Sequence, residues 1–164
     1  MAGTSYSPGV QKTNAMRLLE SLGVSFEVAV YPVGDEHIDA VSVANELGAP
    51  PEVVFKTLVA RNEKNEPLVF CIPGPTDLDL KKAARAASAK KVELVPLKDL
   101  TVLTGYVRGG CSPIGMKKKY PTWIDEIALA YDRIYVNAGA RGFQIIVSPG
   151  DLYTAAQARL ADLV

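Results

Sequence analysis

The stretch Gly109-Gly110-Cys111-Ser112-Pro113-Ile114-Gly115-Met116-Lys117-Lys118 has the residue types of a loop that brings its backbone close to a ligand. Glycine has no Cβ to hold a ligand away. Successive N–H groups in such a loop can form an anion-binding concavity, and the lysines that follow suit a phosphate-bearing partner. The same residues also fit an ordinary Gly-Gly-x-Ser-Pro turn. Upstream, Val53-Val54-Phe55-Lys56-Thr57-Leu58-Val59 sets a lysine inside an apolar, β-branched run that predicts a strand. Lysine is seldom buried without a partner. Lys56 is therefore either an edge charge that discourages sheet-to-sheet association or a pocket cation for an anionic or carbonyl ligand.

The elements that must position these residues follow from spacing. Residues 1–8 are small and polar and are expected to be loose. Met16, Leu19 and Leu22 recur at helical spacing over residues 9–22, with Gly23 as a stop. Residues 24–31 alternate as a half-buried strand, and residues 41–47 form a short helix ended by Gly48. The Lys56 strand and residues 68–72 flank the polar turn 62–66, which predicts a hairpin. Asp77 or Asp79 caps a helix running to about Ala87. Residues 91–95 are a strand, 97–103 a short helix, and 122–124, 134–137 and 143–147 three further strands. Ser148-Pro149-Gly150-Asp151 has capping-box spacing with proline at the first helical position, opening a final helix to about Leu163. Strands and helices mix without strict alternation, which predicts an α+β fold: a mixed sheet with packed helices.

Composition narrows the function. The 164 residues fit one domain, residues 1–164, with a single sizeable core. No apolar run is long enough to span a bilayer, and residues 1–10 lack the pattern of a signal peptide. Cys71 and Cys111 form neither a disulfide framework nor a zinc pattern, and no other metal or cofactor spacing is evident. A reduced, cytoplasmic protein is expected. Lys plus Arg and Asp plus Glu are 18 each, so formal net charge is zero, which argues against a strongly basic, sequence-independent nucleic-acid binder and against DNA as partner. Basic residues still cluster at Lys81-Lys82-Arg85, Lys90-Lys91 and Lys117-Lys118-Lys119. Each cluster is either a solvated face or part of a phosphate-contacting surface.

Four blocks, in order, resemble the YbaK/EbsC family of free-standing relatives of the editing domain of prolyl-tRNA synthetases. They are Val54-Phe55-Lys56-Thr57-Leu58, Leu78-Asp79-Leu80-Lys81-Lys82, residues 104–115 including Arg108-Gly109-Gly110, and Gly139-Ala140-Arg141-Gly142-Phe143-Gln144. The resemblance covers nearly the whole chain. It implies a curved, partly barrel-like mixed sheet with flanking helices, and hydrolysis of mischarged tRNA, typically cysteinyl-tRNA(Pro). Possible partners are the 3′ end of an aminoacyl-tRNA and prolyl-tRNA synthetase. A monomer or weak homodimer is expected.

The resemblance also assigns roles. Lys56 matches the side chain most needed for activity in the family, as an anchor and electrostatic stabiliser. Gly109 and Gly110 become the cradle for the carbonyl or terminal adenosine. A preorganised oxyanion donor of this kind is worth about 3 kcal/mol. Tyr31, Ser112, Pro113, Asn137 and Gln144 surround the substrate, although some relatives carry serine and aspartate at the positions of Asn137 and Gln144. Lys81, Lys82, Lys117, Lys118 and Arg141 are candidates for contact with the tRNA. The one histidine, His37, makes a Cys111–His37 dyad conceivable, while Ser-His-Asp spacing is absent. With no protein nucleophile evident, attack by the substrate's own thiol, releasing a cyclic thiolactone, is the mechanism the resemblance implies, aided by effective molarity. An alanyl-tRNA(Pro) deacylase, a non-catalytic tRNA- or synthetase-binding module and a cysteine hydrolase are the rival readings.

Overall fold

The computed structural model describes residues 11–36 and 38–164, together with the backbone of residues 4–5. The chain runs β1 (Thr4–Ser5), α1 (Asn14–Ser21), β2 (Phe26–Val30), α2 (Ala40–Leu47), a 3-10 turn (Pro51–Val53), β3 (Phe55–Asn62), β4 (Pro67–Pro73) and α3 (Leu80–Ala86). It continues β5 (Val92–Leu94), α4 (Leu97–Thr104), β6 (Thr122–Asp125), a second 3-10 turn (Glu126–Ala130), β7 (Ile134–Asn137), β8 (Phe143–Val147), α5 (Pro149–Ala156) and β9 (Arg159–Ala161).

Two mixed sheets result, ordered β1-β2-β8-β7 and β5-β3-β4-β6-β9. The β3–β4 hairpin forms where the polar turn predicts it: Asn62 Oδ1 accepts from the N–H groups of Lys64 and Glu66, at 3.0 and 2.9 Å. Among the described residues an isolated parallel bridge, Val54 to Tyr135, joins the two sheets. This is the α+β fold of mixed sheet and packed helices that the sequence predicts, in two sheets rather than one.

The main core lies between the sheets, where Phe26, Ile134 and Ile145 of one meet Phe55, Cys71 and Ile124 of the other, with Met16 and Leu19 of α1 and Leu152 of α5 closing the ends. Burial of a side chain such as Leu19 stabilises by about 2 kcal/mol. The outer face of the five-stranded sheet is also covered. Phe70 and Trp123 stack with centroids 5.3 Å apart, and Ala83 of α3 and Leu163 pack on them. With both faces covered, β4 is apolar almost continuously.

Caps set most helix boundaries. Thr13 caps α1, so that helix starts at Asn14 rather than near residue 9. Asp79 Oδ1 accepts from the N–H groups of Lys81 and Lys82, and Ser148 Oγ from that of Asp151. The predicted final helix to Leu163 is corrected. α5 stops at Ala156 because Gln157 adopts a left-handed conformation, φ 48°, and residues 159–161 form β9, parallel to β6. Asp125, 2% exposed, fixes this return by accepting from the Leu163 N–H at 2.9 Å. Leu22 and Val30 lie about half exposed instead of facing the core. Of the loose segment expected at residues 1–8, Thr4 and Ser5 pair with β2 and the rest lies outside the described residues. Among the described residues no helix is long and apolar enough to cross a membrane.

Candidate functional site

Beyond the Val54–Tyr135 bridge, β3 continues alongside β4 and β5 while β7 turns away into β8. The gap between them is a cavity of about 460 Å³. It brings together Lys56 and Thr57 of β3, Asn137 and Gln144 from the β7–β8 hairpin, Tyr31 after β2, and Arg108, Gly109 and Cys111 after α4. Leu94, Leu97 and Leu100 form an apolar wall. On β3 the carbonyl of Val59 takes the Val95 N–H at 3.0 Å. By strand alternation the N–H and C=O of Thr57 point to the same edge, which β5 leaves uncovered because it pairs only from Ala60 onward.

Lys56 is half buried and makes no ion pair among the described residues. Its charge is available to an incoming anion or to a polarised carbonyl. Gln144, 4% exposed, carries a buried Oε1 without a hydrogen-bond partner. The buried Thr57 Oγ1 likewise has no oxygen or nitrogen partner. Thr57 Oγ1 meets the buried Cys71 thiol instead, whereas a stranded buried acceptor is costly, so a ligand that supplies a donor gains at Gln144 Oε1.

Asn137 holds the loop. Its Nδ2 donates to the Gly109 carbonyl and its Oδ1 accepts from the Gly139 N–H, both at 2.7 Å. Gly109 adopts φ 80°, where a Cβ is strained, and its own N–H has no partner among the described residues. Gly110 is placed differently. Its N–H donates to the Val107 carbonyl at 2.9 Å, and a Cβ there would lie 3.1 Å from the Arg141 nitrogen. Gly110 seats the loop on the 140–141 backbone, and Gly109 faces the cavity. Farther along, the buried Tyr106 donates its hydroxyl to the Ile114 carbonyl at 2.8 Å. Its side chain lies where a Cβ on Gly115 or on Gly139 would fall, at 2.7 and 2.8 Å.

The other sequence candidates divide. Tyr31, 5% exposed, lines the cavity, and its N–H donates to the Gly142 carbonyl at 2.9 Å. Ser112 is fully buried beneath the loop, and its Oγ accepts from the Ile114 N–H at 3.4 Å. Pro113, Lys117 and Lys118 line a separate groove. Arg141 donates to the carbonyls of Gly34 and Glu36, at 3.0 and 2.7 Å, tethering the loop that follows β2. Lys81 and Lys82 do not line the cavity, and Lys82 pairs with Asp162 at 3.0 Å. His37 lies outside the described residues. Burial pushes the Cys111 thiol up to about 12, with the Thr104 hydroxyl opposing weakly, so the thiolate is scarce near neutral pH and Cys111 is poorly suited to nucleophilic attack. Arg108 and Thr57 are cavity residues that the sequence reading did not select. Each directly adjoins a chosen residue, which is the signal that was present.

Residues 36–155 match the aminoacyl-tRNA editing domain family, and this span contains Lys56, Gly109, Asn137 and Gln144. The chain belongs to that family. An Enterococcus faecalis protein named as a candidate Cys-tRNA(Pro)/Cys-tRNA(Cys) deacylase, EbsC, is 46% identical over 153 residues, 93% of each chain. A solved structure described as a candidate trans-editing enzyme for prolyl-tRNA synthetase superposes with a TM-score of 0.81 at 27% identity, covering 94% of this chain and 98% of that one. A second, of a hypothetical protein, gives 0.83 at 22% identity over 92% and 99% of the two chains, and speaks for the fold.

Proposed function

We propose that this protein is a trans-acting deacylase that removes cysteine from cysteinyl-tRNA(Pro), with cysteinyl-tRNA(Cys) as a second substrate, and that residues 1–164 act as one editing domain. The observation that carries this reading is the cavity between β3 and β7, where an unpaired Lys56, the Gly109 loop and the unsatisfied Gln144 oxygen converge with no competent protein nucleophile beside them among the described residues. The name of the Enterococcus relative supports the substrate.

In this mechanism Lys56 anchors the tRNA 3′ end and stabilises charge on the ester carbonyl. The Gly109 N–H donates to the oxyanion. Gln144 Oε1 accepts from the substrate ammonium, and Tyr31 borders the same site. The substrate thiol gives its proton to solvent, and the resulting thiolate attacks the ester carbon. The carbon–oxygen ester bond breaks, the ribose oxygen gains a proton, and the products are a cyclic thiolactone and free tRNA. The reaction is intramolecular, so the effective molarity of the thiol replaces a protein nucleophile. Prolyl and alanyl esters lack the thiol and are spared. Selectivity for tRNA(Pro) comes, in this reading, from association with prolyl-tRNA synthetase in the cytoplasm.

Deacylation of cysteinyl-, alanyl- and prolyl-tRNA(Pro) by wild type, Lys56→Ala and Cys111→Ser tests it. Loss of the cysteinyl ester alone is expected, reduced at least about 100-fold by Lys56→Ala and within about threefold of wild type for Cys111→Ser. Rapid hydrolysis of the alanyl ester would sink the thiol mechanism, and abolition by Cys111→Ser would install a cysteine nucleophile instead.

A further inference from the structure

The basic residues are not spread evenly. A second groove of about 740 Å³, sharing no lining residue with the cavity, lies between α1, residues 113–120 and the end of α5. Arg17, Lys117, Lys118 and Lys119 line it, and no aspartate or glutamate does. All four are exposed and none makes an ion pair among the described residues. Several other cations are neutralised locally: Lys12 by Glu20, Arg61 by Glu93, Lys82 by Asp162 and Arg133 by Glu27. A chain of zero net charge therefore carries a localised positive track.

We propose that this groove binds the phosphodiester backbone of the substrate RNA, in the double-stranded stem adjoining the 3′ end held in the cavity. The inference rests on the deacylase reading and extends it to where the rest of the nucleic acid lies. Continuity supports it. One segment contributes Gly109 and Cys111 to the cavity and Pro113 to Tyr120 to the groove. Eight residues separate Gly109 from Lys117, which places the two sites within about 29 Å even for extended chain. Charge complementarity gives the occupant: consecutive phosphates can meet several cations at once. Backbone fixation holds the loop in place, since the Lys117 N–H donates to the Thr104 carbonyl at 2.9 Å and Gly115 packs against the Asn14–Ala15 backbone.

The test uses the full protein and uncharged tRNA, so that binding is read without turnover. The triple variant Arg17→Ala/Lys118→Ala/Lys119→Ala changes exposed side chains only. The slope of log affinity against log salt should flatten by about 2 to 3, at about 0.7 to 0.9 per lost phosphate contact. Lys64→Ala/Arg159→Ala, which removes two exposed cations outside the groove, should leave the slope unchanged. An unchanged slope in the triple variant overturns the proposal, and if wild type still hydrolyses cysteinyl-tRNA(Pro), the deacylase reading survives that loss. A flattened slope with no hydrolysis by wild type would retain the groove and remove the deacylase. Equal flattening in both variants would reduce the effect to overall charge and overturn the groove.

Discussion

Asn137 offers a sharp test of how the cavity is built. Its side chain bridges the Gly109 carbonyl and the Gly139 N–H, both at 2.7 Å, so Asn137→Ala strands one acceptor and one donor. An unpaired buried polar group costs about 1–3 kcal/mol. Asn137 is only half buried and water can partly replace it, so the low end applies twice, giving a loss of about 2 kcal/mol. Against a stability of about 5–15 kcal/mol, the variant remains folded. The kinetic effect is larger than the stability effect. Gly109 faces the cavity, where the proposed mechanism sets the ester, and a displacement of about 1 Å at a reacting centre can cost 100-fold. Urea unfolding should show the 2 kcal/mol loss, and single-turnover deacylation of cysteinyl-tRNA(Pro) a fall of about 100-fold with KM within threefold. Asn137→Asp separates positioning from mere packing. It keeps an acceptor for Gly139 but has no donor for Gly109, so it should be no faster than the alanine variant. Deacylation by Asn137→Ala within threefold of wild type, or recovery in Asn137→Asp, would refute the clamp.

Two further outcomes follow from burial and close packing. Burial pushes the Cys71 and Cys111 thiols from 9.0 up to about 12, so above pH 9 the unfolded chain releases protons that the folded one retains. Stability is therefore intact below pH 9 and is lost between pH 9 and about 12, by up to about 1.4 kcal/mol per pH unit for each thiol. Urea midpoints at pH 8.5 and 10.5 measure this, and an equally steep decline in Cys71→Ala/Cys111→Ala would refute the assignment. Gly115→Ala places a Cβ 2.6 Å from the Ala15 nitrogen at φ 73°. It should lose at least about 2 kcal/mol, from the left-handed backbone and the clash together, and an unchanged urea midpoint would show that the loop does not seat on α1.

Local chemistry made much of this fold legible. Asn62 to Glu66 specified its hairpin because the Asn62 side chain closes the turn within five residues. Asp79 and Ser148 specified helix starts because caps are local bonds. β9 was illegible for the opposite reason. Leu160 and Leu163 continue a helical spacing, and only the left-handed Gln157 and a parallel partner some 36 residues away, at Trp123–Asp125, convert them to strand and tail. The site shows the same division. Lys56 stands out as a charge in an apolar strand, and Gly109 as a glycine in a rich loop. Thr57 gains its importance from an edge left open by β5, and Arg108 from where the loop lands, both decided by tertiary contacts. Gly109 and its neighbour Gly110 look alike in sequence, and the Val107 hydrogen bond and the Arg141 contact of Gly110 distinguish the one facing the cavity from the one that seats the loop.

Tyr106 imposes an order on how this chain can change. Its ring lies 2.8 Å from where a Cβ on Gly139 would fall, and Thr13 is the next obstacle, at 3.4 Å. A smaller residue at 106 would open that space, after which 139 could accept a side chain only against the strain of its φ 98°, which asparagine bears better than others. At Gly115 the obstruction includes the Ala15 and Asn14 backbone, which no change at 106 removes. Across descendants of this sequence, position 139 should therefore vary only in company with 106, whereas position 115 should stay glycine whatever 106 becomes.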